Sequence, residues 1–242
     1  PRAAFLLSCA NEQLVNEPIE KMAERLAQEV EGFIAGNGRR LRLQRLSFVA
    51  FSIGALVLRA ALRLPSLRRL EHAMHTFASI SGPLVGYPLP SSSSIVKSGM
   101  WFMANVVKDV TLAQLCLTDS DEPAESLVGQ ITQPEGAPRF RHVLLVGSQQ
   151  DKYVPLYSSL LHMPAALAAS SDRRAPLLRR LVEGSLASMA SSNLIRVDVH
   201  FRDPPKYFSL DQVAGRAVHT KFLENTEFLR LFAARYAHCF ES

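Results

Sequence analysis

The 242-residue chain is 48% hydrophobic and 20% charged, with a formal net charge of +5, which excludes a disordered or fibrous protein and leaves a globular one. That length can fill one large core. No apolar stretch reaches the roughly 18 residues that a membrane-crossing helix needs; the longest, residues 46–58, is interrupted by Ser52 and closed by Arg59.

Residues 3–9 (AAFLLSC) read as a short buried strand. The following segment, NEPIEKMAERLAQEVEGFIAGNG, reads as a helix with Asn16 as its N-cap and Pro18 in its first turn. Ile19, Met22, Ala23, Leu26, Val30, Phe33 and Ile34 keep helical spacing, and Gly36-Asn37-Gly38 stops it. LSFVAF, residues 46–51, is a second short strand, and after Ser52-Ile53-Gly54 the stretch ALVLRAALRL predicts a helix ended by Pro65. MHTFASI (74–80) and RHVLLVGS (141–148) predict two further buried strands. LIRVDVHF (194–201) alternates, as a strand nearer the sheet edge would. Helices are expected over 155–169, 175–190 and 220–238. Strands alternating with helices predict parallel βαβ units and a three-layer α/β sandwich.

Cys9, Cys116 and Cys239 are sparse, odd in number and without metal-ligand spacing. They predict no disulfide framework and a reducing, cytoplasmic compartment. No cofactor or metal is expected. The chain opens at Pro1 without a methionine or a signal-peptide pattern, so a piece of a longer protein is expected. The arginine clusters (39–45, Arg68-Arg69, Arg173-Arg174, Arg179-Arg180) are dispersed and lack the interleaved aromatics of a nucleic-acid platform. They read as solvated faces, with peripheral attraction to an acidic membrane surface as the remaining use of the charge.

Residues 95–117 form an apolar, helix-prone excursion between two core strands and contain Trp101, Phe102 and Met103. Two readings fit: core packing, or a cap over the C-terminal strand ends that lines an apolar substrate pocket.

Ala50-Phe51-Ser52-Ile53-Gly54 joins strand to helix as a nucleophile elbow does. Such a turn exposes the serine hydroxyl, and small residues two before and two after it let strand and helix approach. The Ile53 N–H then lies at a helix N-terminus, where it can stabilise an oxyanion. A nucleophilic serine needs a base, and the base an orienting acid, in the chain order Ser, Asp or Glu, His for a sheet of this kind. Asp151 follows a buried strand, so it falls level with Ser52; capping its own turn is the competing role. Among seven histidines, His72 and His75 precede the acid, His142 starts a strand, His162 falls in an expected helix, His200 ends a strand and His238 lies near the terminus. His219 sits in an expected loop before the last helix, with Gly215 for flexibility, and is the candidate base.

The segments LSFVAFSIGALVLRAAL, HTFASISGPLVG, GMWFM, VLLVGSQQDKYVPLYSS and GRAVHTKFLEN together resemble the putative serine esterase domain of the lipase-like α/β-hydrolases, closest to the family with sequence similarity 135. The likeness runs over residues 3–239. It implies an α/β-hydrolase fold in one domain over 1–242, with its N-terminal strands lacking in this chain. It also implies Ser52 as nucleophile, Asp151 as triad acid and His219 as base. Leu84 stands in the loop that follows the next strand after the elbow, where many relatives carry histidine, and is a candidate pocket residue. Ala50 replaces the first elbow glycine, and no His-Gly pair precedes the elbow to supply a second oxyanion donor. The expected function is hydrolysis of lipid-like or other apolar carboxylic esters, through an acyl-enzyme, on a small-molecule substrate. The alternative is a catalytically silent α/β-hydrolase fold serving as an interaction or membrane-associated module.

Overall fold

The computed structural model describes residues 3–13, 17–37, 42–88, 109–165, 175–202 and 211–241. Four strands, β1 (Leu46–Phe51), β2 (Met74–Ile80), β3 (His142–Gly147) and β4 (Asn193–Asp198), form one sheet in the order β1-β2-β3-β4, and every neighbouring pair is parallel. β2 and β3 are buried at every position, as the continuous apolar runs of inner parallel strands require. The register sets Phe51 beside Ile80, Ile80 beside Val146 and Val146 beside Val197, so the C-terminal strand ends lie level.

The described helices are α1 (Ile19–Asn37), α2 (Gly54–Ala61), α3 (Pro65–Arg68), α4 (Asp109–Leu115), α5 (Leu127–Ile131), α6 (Leu156–Ser159), α7 (Ala175–Ala187), α8 (Asp211–Glu224), α9 (Thr226–Tyr236) and α10 (His238–Glu241). Side chains alternate across a strand. Ala50, Phe77, Val143 and Leu145 therefore point to one face, into a core shared with α1, α2, α5 and α7. Ala78, Ile80, Leu144 and Val146 point to the other, against Val218 and Phe222 of α8 and Cys239 of α10.

Four expectations change. Residues 3–9 are no strand: Phe5 and Leu7 are 89% and 90% exposed. An apolar run becomes a strand only with a neighbour to complete its ladder, and this segment leans on α1 instead, where the Cys9 N–H donates to Glu29 Oε1 at 3.0 Å. The helix expected over 155–169 is interrupted: α6 is a single turn, and residues 166–169 lie outside the described residues. The chain turns left-handed at Leu161 (φ 50°), and Arg196 of β4 takes up the carbonyls of Leu160 (2.7 Å) and Leu161 (3.1 Å). His162 therefore lies outside any helix. The helix expected over 220–238 begins earlier and is broken, because the Asn225 side chain accepts from Phe228 N at 2.9 Å and caps α9. Pro65 opens α3 rather than ending α2, a use its missing N–H permits at the first helical position.

The expected N-cap of α1, Asn16, lies outside the described residues. The Ile19 N–H is instead satisfied by Gln114 Oε1 at 2.9 Å, from a helix 95 positions away.

Candidate active site

Ser52 ends β1 in the left-handed region, at φ 53°, where a non-glycine residue sits at a steric cost. Its N–H donates to Ile80 O at 3.0 Å, extending the β1–β2 ladder by one step, and its carbonyl accepts from Ala55 N as α2 begins. The chain thus reverses with the Ser52 hydroxyl directed off the strand end. Ile53 is the N-cap residue of α2, and its N–H has no acceptor among the described residues. The close approach expected at Gly54 lies elsewhere: a methyl group there would meet nothing within 4 Å among the described residues. At Gly82, after β2, a methyl group would lie 2.6 Å from Ala55 Cβ and 2.3 Å from Ser79 Oγ, so Gly82 is the glycine that lets α2 pack down.

Asp151 lies in the turn after β3 and its carboxylate is completely buried. Oδ1 accepts from the N–H groups of Tyr153 (2.8 Å) and Val154 (3.2 Å), which closes the turn. Oδ2 faces the imidazole of His219 at 2.7 Å and also accepts from the Ser81 hydroxyl. The two roles weighed for this residue, turn cap and partner of a histidine, fall to its two oxygens separately.

His219 lies within α8 and not in a loop, and Gly215 is helical too. The helix is placed by Val218 and Phe222, four residues apart and buried against Ile80, Val146 and Phe201. Phe201 is itself held by Gln150, which donates to its carbonyl at 3.0 Å and accepts from its N–H at 2.8 Å. On this platform the His219 ring lies 4.8 Å from the Phe51 ring and 5.4 Å from Tyr153, the latter nearly perpendicular. Its Nε2 is 2.9 Å from Ser52 Oγ. Because a carboxylate only accepts, Nδ1 carries the proton and donates to Asp151. The Nε2 lone pair is then left to accept from the Ser52 hydroxyl. Such a series can draw the serine proton onto the imidazole as the oxygen attacks a carbonyl.

The surroundings are apolar and hold neutral donors. Burial first, then the neighbouring Asp151 charge, pushes the Tyr87 phenol well above its usual range, and its OH donates to Tyr153 O at 2.8 Å. Among the described residues no group of histidines, cysteines and carboxylates could hold a metal ion.

Of the expected pocket residues, Trp101, Phe102 and Met103 lie outside the described residues. Leu84 is wholly buried in the main core, its carbonyl accepting from Arg59 at 2.9 Å, so it offers no surface to a substrate here. The described end of the expected cap, 109–117, packs as core through Leu115 and Leu117 and ties α4 to the start of α1. Sequence reasoning passed over Ser81, Tyr153 and the ring contact of Phe51. The one local signal for Ser81 was its place: it follows β2 as Ser52 follows β1.

A parallel sheet with a left-handed serine between strand and helix, an aspartate after a later strand and a histidine further along the chain is the arrangement of the α/β-hydrolase fold. The chain belongs to the family described as putative serine esterase (DUF676), whose model matches residues 2–168, a span that holds Ser52 and Asp151 and ends before His219. It is also similar to two solved structures of acylaminoacyl peptidase from Pyrococcus horikoshii, one uncomplexed and one in an orthorhombic crystal form. These are 15% and 14% identical, with TM-scores of 0.43 and 0.41 over 88% and 85% of this chain. The chain spans 28% and 27% of their lengths. Among the described residues, no helix is long and apolar enough to cross a membrane.

Proposed function

We propose that the chain is a serine hydrolase that cleaves carboxylic esters with lipid-like or other apolar groups through an acyl-enzyme, with Ser52, His219 and Asp151 as its triad. The reading rests on one observation, the unbroken series Ser52 Oγ–His219 Nε2 at 2.9 Å and His219 Nδ1–Asp151 Oδ2 at 2.7 Å. Ser52 Oγ attacks the ester carbonyl as its proton passes to His219 Nε2. The imidazolium, balanced by Asp151, protonates the departing alcohol, and water then enters by the same route to release the acid. The Ile53 N–H binds the oxyanion together with a second donor, whose loss would lower the rate about 100- to 1000-fold. The substrate is met in the cytoplasm or at a membrane surface.

The test is labelling by a fluorophosphonate, beside Ser52→Ala and with circular dichroism to verify folding. Labelling of the wild type that vanishes in Ser52→Ala supports the proposal, and a p-nitrophenyl ester series then ranks acyl length. Equal labelling of both proteins removes Ser52 as nucleophile. Silence from folded wild type, and from a version extended upstream, leaves the non-catalytic interaction module.

A further inference from the structure

Ser81 is not part of the Ser-His-Asp series, yet its side chain meets the point where that series ends. We propose that Ser81 is a positioning residue for the candidate triad, locking the Asp151 carboxylate in the orientation that receives the His219 Nδ1 proton. The mechanistic consequence rests on the serine hydrolase reading above; the placement of the hydroxyl does not.

The backbone aims that hydroxyl. Ser81 follows β2 at φ 48°, a left-handed conformation matching that of Ser52 after β1. Non-glycine residues adopt it only where the surroundings hold them there. Its N–H donates to Val146 O at 2.7 Å, just as Ser52 N–H donates to Ile80 O at 3.0 Å, so each strand end is carried one step further along the sheet. The two serines are thus neighbours in register, kinked alike at the same edge. They differ in reach: the Ser52 hydroxyl meets Nε2 of His219, whereas Ser81 is fully buried and its hydroxyl donates to Asp151 Oδ2.

Both carboxylate oxygens are consequently pinned. Oδ1 holds the amides of Tyr153 and Val154, and Oδ2 holds the Ser81 hydroxyl and the imidazole. The Ser81 oxygen also lies 3.4 Å from His219 Nδ1, close enough to keep that N–H from swinging out of line. Without the hydroxyl, Oδ2 would keep one donor instead of two, and the carboxylate could rotate about its own bond. More of its charge would also fall on the imidazole, which favours the imidazolium and so moves the onset of base catalysis to higher pH.

Two variants separate the hydroxyl from the backbone. Ser81→Ala removes the hydroxyl and keeps Cβ with its left-handed strain; Ser81→Gly removes the hydroxyl and also relieves that strain. The first measurement needs no turnover: the downfield proton resonance of His219 Nδ1 and its exchange with water, in folded wild type and both variants. A protected resonance in wild type that broadens and exchanges faster in both variants is the expected result. No such resonance in wild type, or one unchanged in the variants, overturns the proposal. The second is the fluorophosphonate labelling rate against pH. Both variants should react about tenfold more slowly, with the half-maximal rate at higher pH. Wild-type rate and profile in either variant would reduce Ser81 to a backbone fixture and overturn the proposal. Wild type that shows the resonance effect yet never labels at Ser52 would instead sink the hydrolase reading and leave the placement of Asp151 by Ser81 standing.

Discussion

One face of the sheet rests on a single core that runs from α1 through α2 and α5 to α7, whereas the other is closed by α8–α10 through two small clusters around Ile80, Val146 and Phe222 and around Ala78, Leu144 and Cys239. On the thin side α9 has no fully buried residue, Leu231 is 63% exposed, and of β1 Phe51 packs against this layer while Val49 is 59% exposed. The difference bears on the site. Ser52 and Asp151 are fixed at strand ends in the sheet itself, while His219 is delivered by the thin layer. A local opening of α8–α10 would therefore separate base from nucleophile long before the sheet unfolds.

The sharpest test is a pair of core truncations. Phe222→Ala, one turn beyond His219, should cost about 4 kcal/mol, lower fluorophosphonate labelling sharply, and speed amide hydrogen exchange in α8–α10 while β1–β3 stay protected. Leu178→Ala, in α7 on the thick face, should cost about 3 kcal/mol in urea unfolding yet leave the labelling rate of the folded protein near wild type. Equal loss of protection in both regions after Phe222→Ala would make the two faces one cooperative unit.

A smaller effect is expected from pH. His142, at the start of β3, is nearly buried; its Nε2 has no partner among the described residues, and its Nδ1 lies 3.3 Å from Asn193 Nδ2. Burial first, then His75, Arg141 and His238, holds it below the ordinary 6.5. The folded protein then binds fewer protons than the unfolded one in the window just below pH 6.5. Its stability is highest above that window and falls as pH drops through it. The Tm of wild type should fall between about pH 7 and 5, and that of His142→Gln should fall less steeply; parallel curves would remove His142 as the cause.

The smallest is at Ser79, whose buried Oγ in β2 has no partner among the described residues. Ser79→Ala should leave stability unchanged or raise it by up to about 1 kcal/mol. A loss larger than that in urea unfolding would mean the hydroxyl has a partner in solution.

Strands β2 and β3 were legible almost to the residue, because apolar runs of six or seven bounded by turn formers have few other uses. The elbow was legible for the right position and partly the wrong reason: the spatial need for a glycine falls at Gly82, a contact between the loop after β2 and α2 that no local pattern announces. Residues 3–9 carried the same apolar signal as the true strands and failed for want of a neighbour. His219 was selected by its order in the chain while its setting was misjudged, since the polar stretch around Gly215 reads as a loop until Val218 and Phe222 are seen to anchor a helix.

By itself, the sequence determined the alternation of strand and helix, and the order in which a serine and an aspartate after strand ends precede a histidine. Both are local properties, set by side-chain periodicity and turn chemistry over a dozen residues. Only the tertiary structure decided that Nε2 of His219 reaches the Ser52 hydroxyl across 167 positions, that Asp151 divides its oxygens between turn and imidazole, and that Ser81 stands beside them. Those contacts join residues remote in the chain, and hydrogen bonds of a few ångströms are fixed by how the layers pack, to which no local pattern is sensitive.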